Sequence, residues 1–484
     1  MPIEWKQAIG DELTLLQNLQ PNIIKPHVRE FLTVLFLHFD DADGGKDFIG
    51  RLSGLMKSAH DHLVEIVQFK DHETPGSAYI GFGLSAPGYD ILKIAPAPSD
   101  RSFQSGMDKT IRLNDPPISE WEQHFQKPEN LHAVVVIGDM LRDDRNAARA
   151  RVQELIDTAA GVTVIGTQEG VGQHNSNGQG IEHFGYVDGR SQPLFLMEDI
   201  RDEENQTDGI ANWDPTSPLN QVIIPDPAAP DPNVHFGSYF IFRKLEQNVK
   251  LFKKMEIKFA EDLPIDDDER AGAMIVGRFE DGTPVTLQSE DGVESPVPNN
   301  FNYNSDKSGA KCPFLGHIRK TNPRGSGGFG QTFEQEHSHL MARRGQTYGV
   351  RTDNPNDGAI SNKPEKDVGL LFMAFNSDIR HQFEFTQITW ANNPNFPEVP
   401  AGSPPPGLDP VIGQLPRGQV RPDMAAPKVW GDPSSVSIAP AVPQAVTMKG
   451  GAYFFMPSLA FLRGFAPAPA PAPAPAQAPA QAGG

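Results

Sequence analysis

Three segments of the chain carry residue types that could do chemistry at a bound ligand. The first is the run GYVDG at 185–189, in which glycines beside Asp188 would let a ligand approach the backbone closely. The second, CPFLGHIRKTNPR at 312–324, places His317 among three cations, which would suit a cofactor that carries carboxylates. The third, EQEHSHLMARRGQTYG at 334–349, contains two histidines, two adjacent arginines and a tyrosine. Each segment alone is a weak signal, because a turn aspartate or a single histidine is more often structural than functional.

A metal site is one hypothesis that the third segment supports. On a strand, His337 and His339 would share a face, and with Glu336 they could bind a transition metal. The chain would then be a non-haem metalloenzyme. The run GSGGFGQ at 325–331 weakens this hypothesis, because it predicts a flexible loop, where paired histidines are mostly exposed to solvent.

The composition limits the class of protein. The chain has 484 residues, with 42 Lys+Arg and 62 Asp+Glu, and its formal charge of −20 would repel the phosphates of a nucleic acid. The length allows about two or three domains. Cys312 is the only cysteine, which excludes an intramolecular disulfide and any metal cage built on several thiolates.

Neither membrane insertion nor secretion is predicted. The longest apolar stretch lies within Phe31–Phe39 and is far shorter than the roughly 20 residues that a membrane-spanning helix needs. The first residues, MPIEWKQAIGDEL, lack the basic start and apolar core of a secretion signal. We therefore expect a cytoplasmic protein, either a monomer or a homo-oligomer, with no membrane partner. Export by a route that needs no cleavable signal is the open alternative.

Strands and helices that could position these segments are visible in the hydrophobic pattern. Strands are predicted at Phe31–Phe39 and Ala133–Ile137, which are apolar and rich in β-formers, and a helix is predicted between Asp143 and Ala159. In the second half, strand-like runs occur at 237–243, 369–376 and 452–456, and a helical pattern occurs at 248–259. The chain is therefore predicted to be an α+β protein.

Proline-rich stretches predict the domain boundaries. The run IPDPAAPDPN cannot continue a helix or donate fully to a sheet, so we place a linker at 224–236. An N-terminal domain at 1–223 and a C-terminal domain at 237–464 flank it. The Ala-Pro alternation near the C-terminus has no bulky apolar residue to bury, and the tail at 465–484 is predicted to be disordered.

The three segments belong to a longer series of motifs. GYVDG continues as RSQP, HIRKTNPR begins at His317, and RRGQTYG begins at Arg343. Further motifs are LQPNIIKPH at 19–27, GSYFIFRKLEQ at 237–247, GLLF at 369–372, WANN at 390–393, LDPVIG at 408–413 and YFFMPS at 453–458. In this order they resemble the dye-decolorizing peroxidases, a family of haem enzymes. The resemblance covers nearly the whole chain apart from the extreme N-terminus and the Ala-Pro tail.

The resemblance implies a fold, a cofactor and a reaction. The implied fold is α+β with two ferredoxin-like domains, each a four-stranded antiparallel sheet with helices, of the dimeric α+β barrel type. One haem b per chain is expected, largely in the second domain, with Asp188 reaching it from the first. The implied reaction is the oxidation of dyes, phenols and related aromatic reductants by hydrogen peroxide through a ferryl intermediate.

The resemblance also assigns residues that would hold the haem. His317 would be the axial ligand of the iron, and Asp409 is expected to accept a hydrogen bond from its other ring nitrogen. Arg319 is expected to pair with a haem propionate. Leu370 and Phe372 would keep the pocket on the peroxide side narrow and apolar.

Two further residues would act on the peroxide. Asp188 would take a proton from the oxygen that binds iron and return it to the oxygen that leaves. Arg343, rather than the adjacent Arg344, would stabilise the charge on the departing oxygen. An aspartate base, with an ordinary pKa of about 3.9 against about 6.5 for histidine, predicts an acidic activity optimum.

Bulky dyes could not enter a narrow pocket, and the resemblance suggests that they are oxidised at the surface. Trp390 and Tyr348 are the matching candidates for surface electron transfer. The alternative for Trp390 is packing in a core, because large aromatic side chains are usually mostly buried.

A protein that binds or transports haem without turnover is the remaining alternative. Such a protein would need His317 but no pair that cleaves peroxide. Asp188 and Arg343 therefore favour the peroxidase.

Overall fold

The strands of the chain join into one long sheet. The computed structural model describes residues 1–206, 209–265, 267–292, 297–354 and 358–466. Its strands are β1 (Phe31–Phe39), β2 (Tyr79–Leu84), β3 (Ala133–Asp139), β4 (Val162–Val171), β5 (Ile224–Pro225), β6 (Phe236–Gln247), β7 (Ala342–Arg343), β8 (Gln346–Tyr348), β9 (Gly369–Asn376), β10 (Met424–Pro427), β11 (Val436–Ala439) and β12 (Val446–Met456). Strands β10 and β11 form a separate hairpin, and the others share the large sheet.

Helices cover the sheet and connect its strands. The α-helices are α1 (Gly10–Asn18), α2 (Ala42–Ser53), α3 (Ala59–His72), α4 (Ala86–Ile91), α5 (Arg101–Ser105), α6 (Arg142–Thr158), α7 (Met197–Gln206), α8 (Val249–Asp262), α9 (Asp268–Val276), α10 (His317–Thr321), α11 (Phe333–Ser338) and α12 (Leu459–Arg463). Two consecutive π-helical turns span Arg380–Glu384 and Thr386–Ala391. Single 3-10 turns occur at Trp5–Gln7, Met107–Lys109, Ile111–Leu113, Ile118–Glu120, Gln123–Phe125, Pro128–Asn130, Leu219–Gln221 and Pro433–Ser435. Within the described residues, none of the helices has the length and apolar character needed to cross a membrane.

The predicted pair of ferredoxin-like halves is confirmed. The first half has the strand order β4-β1-β3-β2, and every pairing in it is antiparallel. The second half continues as β12-β6-β9, with the short strands β7 and β8 both paired to β9. A single residue pair, Phe455 with Leu84, joins β12 to β2 and makes the two sheets continuous.

Long apolar runs form the central strands, as their composition predicts. Strands β1 and β9 have the predicted bounds, and β3 extends two residues beyond the predicted Ala133–Ile137. All seven residues of β3 are buried, and its apolar side chains belong to a core cluster that includes residues of both halves. Helix α6 packs on this half with Val152 and Ile156 facing the sheet.

The segment predicted as a linker, 224–236, connects the two halves and packs against the C-terminal half. Its first residues form β5, which pairs with Phe236 and Gly237 of β6. Asp226 is fully buried and accepts hydrogen bonds from the backbone N–H and the hydroxyl of Ser458, both at 2.8 Å. The assignment of 1–223 and 237–464 as separate domains stays a prediction, and residues 467–484 of the predicted disordered tail lie outside the described residues.

Aromatic side chains link the cores of the two halves. Phe454 of β12 is fully buried, and its ring centroid lies 6.3 Å from that of Phe36 in β1 and 6.4 Å from that of Phe240 in β6. One ring therefore packs against strands of both halves. Removal of this ring should therefore destabilise both halves of the chain.

We predict that Phe454→Ala lowers the free energy of unfolding by about 3–5 kcal/mol, because it leaves a cavity at this junction. Native-state hydrogen exchange should show faster exchange in both β3 and β9. The matched control is Phe69→Ala, where the side chain is 57% exposed and little change is expected. Faster exchange in only one of the two strands would contradict a shared core.

Candidate active site

A cavity of about 690 Å³ is lined by residues from both halves of the chain. Its volume is in the range of protein pockets that hold cofactors, roughly 300–1,000 Å³. Five predicted site residues line it, namely Asp188, His317, Arg343, Leu370 and Phe372. These residues are far apart in the chain, so the fold itself assembles the site.

His317 is the first residue of α10, and its imidazole is oriented by a buried carboxylate. Its Nδ1 lies 2.8 Å from Oδ2 of Asp409, whose side chain is fully buried. The other carboxylate oxygen of Asp409 accepts the backbone N–H groups of Val411 and Ile412 at 2.8 and 2.9 Å. With the proton on Nδ1 held by Asp409, the lone pair of a neutral imidazole is on Nε2, which is the form that binds a metal.

The charge of Asp409 is stabilised in the interior. Burial by itself would raise the pKa of Asp409, but the His317 imidazole and the two backbone N–H groups outweigh burial and hold it below its usual value. The carboxylate thus remains an acceptor for the His317 proton. The predicted hydrogen bond between these two residues is present, and the ligand role of His317 stays a prediction.

Two side chains of β9 form an apolar wall of the cavity. Leu370 and Phe372 are two residues apart, so they project from the same face of the strand, and both are half-buried. Ile318 of α10 and Val276 of α9 also line the cavity. This wall suits a flat apolar ring system better than a hydrated ion.

Asp188 and Arg343 lie close to each other at this cavity. Oδ1 of Asp188 is 3.9 Å from Nη1 of Arg343, and the two side chains are 39% and 37% exposed. Arg343 lies in β7, which pairs with β9, and its Nη2 donates to the carbonyl of Arg190 at 2.8 Å. The carbonyl oxygen of the Gln192 side chain accepts the backbone N–H of Arg343 at 3.0 Å.

The glycines of the GYVDG run give the backbone around Asp188 its shape. Gly185 and Gly189 have φ values of 109° and 84°, a region that side chains other than glycine rarely adopt. The backbone N–H of Asp188 donates to the carbonyl of Gly180 at 3.0 Å. The turn is therefore fixed on both sides of the carboxylate.

The adjacent arginines have different partners, which separates their roles. Arg344 is buried, and its guanidinium donates to the backbone carbonyls of Asn22 and Ile23 at 2.6 and 2.9 Å. Arg343 instead extends towards Asp188. Arg343 rather than Arg344 therefore lies beside Asp188, and its action on peroxide stays a prediction.

An unpaired cation in the cavity wall fits a ligand that carries carboxylates. Arg278 is buried, and its Nη1 donates to the carbonyls of Gly282 and Pro298, each at 2.8 Å. Its Nη2 has no hydrogen-bond partner in the described part of the chain. Burial lowers the pKa of Arg278 to about 10, so the group stays positive at neutral pH. A propionate of haem would satisfy this guanidinium, and the residues present therefore fit the group.

The predicted propionate contact of Arg319 is wrong. Its guanidinium donates to Oδ2 and to the backbone carbonyl of Asp306, both at 2.9 Å, and both side chains are 1% exposed. Successive residues of an α-helix are rotated by about 100°, so Arg319, two residues after His317, points to the far side of α10. It is not part of the cavity lining.

The predicted surface positions of Trp390 and Tyr348 are also wrong. Trp390 is fully buried, and Tyr348 is 6% exposed. Trp390 packs on Phe396 with nearly parallel rings whose centroids are 5.4 Å apart, which agrees with the alternative of core packing. Neither aromatic side chain can contact a bulky dye directly.

The histidines of the third segment do not form a metal site. The segment Phe333–Ser338 is helical rather than extended, because the Thr332 and Gln335 side chains cap the start of α11. His337 contacts the ring of Trp213, whereas His339 stacks on Phe385 with ring centroids 3.7 Å apart. No group of three or more metal-binding side chains occurs among the residues that the structure describes.

Two ionisable residues of the cavity wall are not predicted from the sequence. One is Arg278, described above. The other is Glu182, whose pKa burial raises to about 7 although it accepts the backbone N–H groups of Phe184 and Tyr186. Neither residue lies in the three segments singled out from the sequence, so only the tertiary structure places them in the site.

The fold and the site define a class of protein. Two ferredoxin-like halves share a cavity with a histidine oriented by a carboxylate, a guanidinium whose Nη2 has no partner in the described residues, and a neighbouring Asp–Arg pair. This combination defines a haem-binding enzyme of the ferredoxin-like α+β class.

Comparisons with known proteins identify the family, although no family model matches the chain. A multifunctional dye peroxidase, DyP2, of Amycolatopsis sp. is 57% identical over 465 residues, which are 95% of this chain and 98% of the relative. The solved structure of DyP2 has a TM-score of 0.92 at 56% identity, over 96% of this chain and 99% of that one. A DyP-type peroxidase of Anabaena sp. has a TM-score of 0.87 at 36% identity, over 96% and 97%. The chain belongs to the dye-decolorizing peroxidase family.

We predict that Arg319→Met destabilises the protein without changing its haem affinity. The substitution leaves Asp306 buried without its cation, which should cost about 3–5 kcal/mol of unfolding free energy. Chemical denaturation measures the stability, and a haem titration followed at the Soret band measures the affinity.

The comparison variant is Arg278→Met, which should weaken haem binding because it removes the Nη2 group that has no partner among the described residues. If Arg319→Met lowered the haem affinity of the folded protein as much as Arg278→Met does, the assignment of the two arginines would be reversed.

Proposed function

We propose that the chain is a haem peroxidase that uses hydrogen peroxide to oxidise dyes, phenols and related aromatic reductants, with one haem b per chain. The observation that carries the proposal is the single cavity shared by the Asp409-oriented His317 and the Asp188–Arg343 pair. The names of the relatives, which are dye peroxidases, support the same reaction.

His317 would bind the iron through Nε2. By accepting the Nδ1 proton, Asp409 fixes the orientation of the ring and makes Nε2 more basic. Leu370 and Phe372 would pack on the ring, and Arg278 would pair with a propionate. The haem supplies, when bound, a redox-active iron at which the O–O bond of peroxide is cleaved.

Asp188 would transfer the proton of the peroxide, and Arg343 would stabilise its negative charge. The Asp188 carboxylate accepts a proton from one oxygen and donates it to the other, which then leaves as water. The Arg343 guanidinium stabilises the negative charge that develops on the departing oxygen. Overall, two reductant molecules each give one electron and one proton, and one peroxide becomes two waters.

A haem-binding protein without turnover is a weaker alternative, because it gives no role to Asp188 and Arg343. The charge of −20 still disfavours a nucleic-acid partner. The cytoplasmic location and the choice between monomer and homo-oligomer stay predictions from sequence. They do not affect the chemistry of the cavity.

The first test is an absorption spectrum of the haem-supplied protein before and immediately after one equivalent of hydrogen peroxide. We expect the wild type to show a Soret band that changes on adding peroxide, and His317→Ala to lose most of the band. His72→Ala, which removes an exposed histidine of α3, is the matched control. A Soret band that does not change on adding peroxide would indicate a haem carrier. The absence of a Soret band from the wild-type protein would contradict haem binding.

The second test concerns Asp188 as the base that accepts the proton of the peroxide. Asp188→Asn keeps the size of the side chain but cannot accept the proton, so the reaction with peroxide should slow by roughly 10²–10⁴-fold while the Soret band of the resting protein persists. Stopped-flow spectroscopy measures the rate. Because a carboxylate base remains ionised at lower pH than a histidine base, the wild-type pH–rate profile should peak below neutrality. A peak above neutrality would count against Asp188.

A further inference from the structure

Lys320 is a buried cation to which the reaction proposed above gives no role. It lies three residues after His317 in the short helix α10, and its side chain is fully shielded from solvent. Its ammonium group donates to the backbone carbonyls of Asn393 and Gly407 at 3.0 and 2.9 Å and to that of Phe396. Within the described ranges it forms no ion pair. Because burying a charge is costly without a counter-charge, a neutral side chain of the same length would occupy this position at lower cost.

The three carbonyls belong to chain segments that also fix Asp409. Asn393 lies two residues beyond the end of the π-helical segment, and the last carbonyl of that segment accepts the backbone N–H of Asp409 at 3.0 Å. Gly407 precedes Asp409 by two residues. Lys320 therefore connects the helix that carries His317 to both segments that hold the hydrogen-bond acceptor of this histidine.

Lys320 and Asp409 are opposite charges in the same part of the interior. Both side chains are fully buried. Burial lowers the pKa of Lys320 to about 7, and the attraction of the Asp409 carboxylate opposes this effect. Below neutral pH, where the peroxidase is expected to be most active, the ammonium group is therefore charged. In the interior, where water screens little, the two charges act on each other without direct contact.

The other cations near Asp409 are either partly hydrated or paired. The guanidinium of Arg421 donates to the backbone carbonyl of Asp409 at 3.0 Å, and its side chain is half-buried, so water screens its charge more than that of Lys320. Arg319 is buried, but Asp306 balances its charge. Lys320 therefore supplies the buried positive charge that no carboxylate contacts among the described residues.

The charge of Lys320 opposes the effect that Asp409 has on His317. An acceptor that draws the Nδ1 proton makes the imidazole a stronger electron donor, which favours the oxidised state of a bound iron. A cation near that carboxylate makes it a weaker acceptor and favours the reduced iron, whose charge is lower by one. The two buried charges act on the same ligand in opposite directions.

We propose that the charge of Lys320 limits the electron donation of His317, which makes Lys320 a positioning residue that acts through the His317–Asp409 pair. The proposal rests on the haem function proposed above, because it requires that His317 binds iron. Lys320 is not part of the lining of the active-site cavity, so it does not act on a substrate directly. Its three hydrogen bonds hold the ammonium group in place relative to the pair.

The test compares Lys320→Gln and Lys320→Met with the wild type in the haem-loaded full-length protein. Measurements are made at about pH 5, where the ammonium group is charged. Glutamine keeps hydrogen-bond donors without the charge, and methionine keeps the length without either. Lys254→Met, at an exposed position of α8 outside the cavity lining, is the matched control. Spectroelectrochemical titration measures the midpoint potential of the iron, and resonance Raman spectroscopy of the reduced protein measures the iron–histidine stretching frequency.

We expect both Lys320 variants to lower the midpoint potential. At a fixed applied potential the ratio of oxidised to reduced iron should rise about tenfold, which corresponds to about 59 mV for one electron. The iron–histidine frequency should rise in both variants, because Asp409 then draws the Nδ1 proton more strongly. Lys254→Met should match the wild type in both measurements.

A purely structural role of Lys320 predicts a different result. Loss of its hydrogen bonds would let Asp409 move away from His317, which would weaken the electron donation and raise the midpoint potential. An unchanged or raised potential, or an unchanged iron–histidine frequency, in Lys320→Gln would overturn the proposal. Failure of both Lys320 variants to fold as haem-free proteins, measured by circular dichroism, would also overturn it, because the lysine would then be required for stability.

Failure of this proposal can be distinguished from failure of the haem function. A wild type without a Soret band, or a band that persists in His317→Ala, contradicts the proposed haem site before the Lys320 variants are compared. If the wild type binds haem through His317 and responds to peroxide, but the Lys320 variants have the same potential as Lys254→Met, the role of Lys320 alone is wrong.

Discussion

The hydrogen bond between His317 and Asp409 is the interaction on which the rest of the site depends. A neutral imidazole has a lone pair on only one of its two ring nitrogens. The hydrogen-bond acceptor of the protonated nitrogen determines which of the two carries the lone pair. An ionised carboxylate in the interior would be costly without partners, and Asp409 has three hydrogen-bond donors at its two oxygens. Its backbone is also fixed, because its N–H donates to Ala391 and its carbonyl accepts Arg421. The histidine is therefore oriented before any cofactor binds.

The Asp188–Arg343 pair depends in contrast on contacts between distant parts of the chain. Arg343 is held by β9 on one side and by Arg190 and Gln192 on the other. These two residues directly follow the turn that carries Asp188, so the same segment positions both members of the pair. A small shift of this segment would move the carboxylate and the guanidinium together, which preserves their separation.

The sequence predicts most reliably the features that depend on composition or on a motif. Strands β1 and β9 are continuous apolar runs, and they form with the predicted bounds. The propionate contact predicted for Arg319 is wrong because residues two apart on a helix project from nearly opposite sides, so closeness to His317 in the chain does not bring Arg319 to the cavity. The same rotation separates the histidines of the third segment. The solvent exposure of a side chain is harder to predict from sequence. Trp390 is buried against Phe385 and Phe396, and no local sequence pattern predicts that packing.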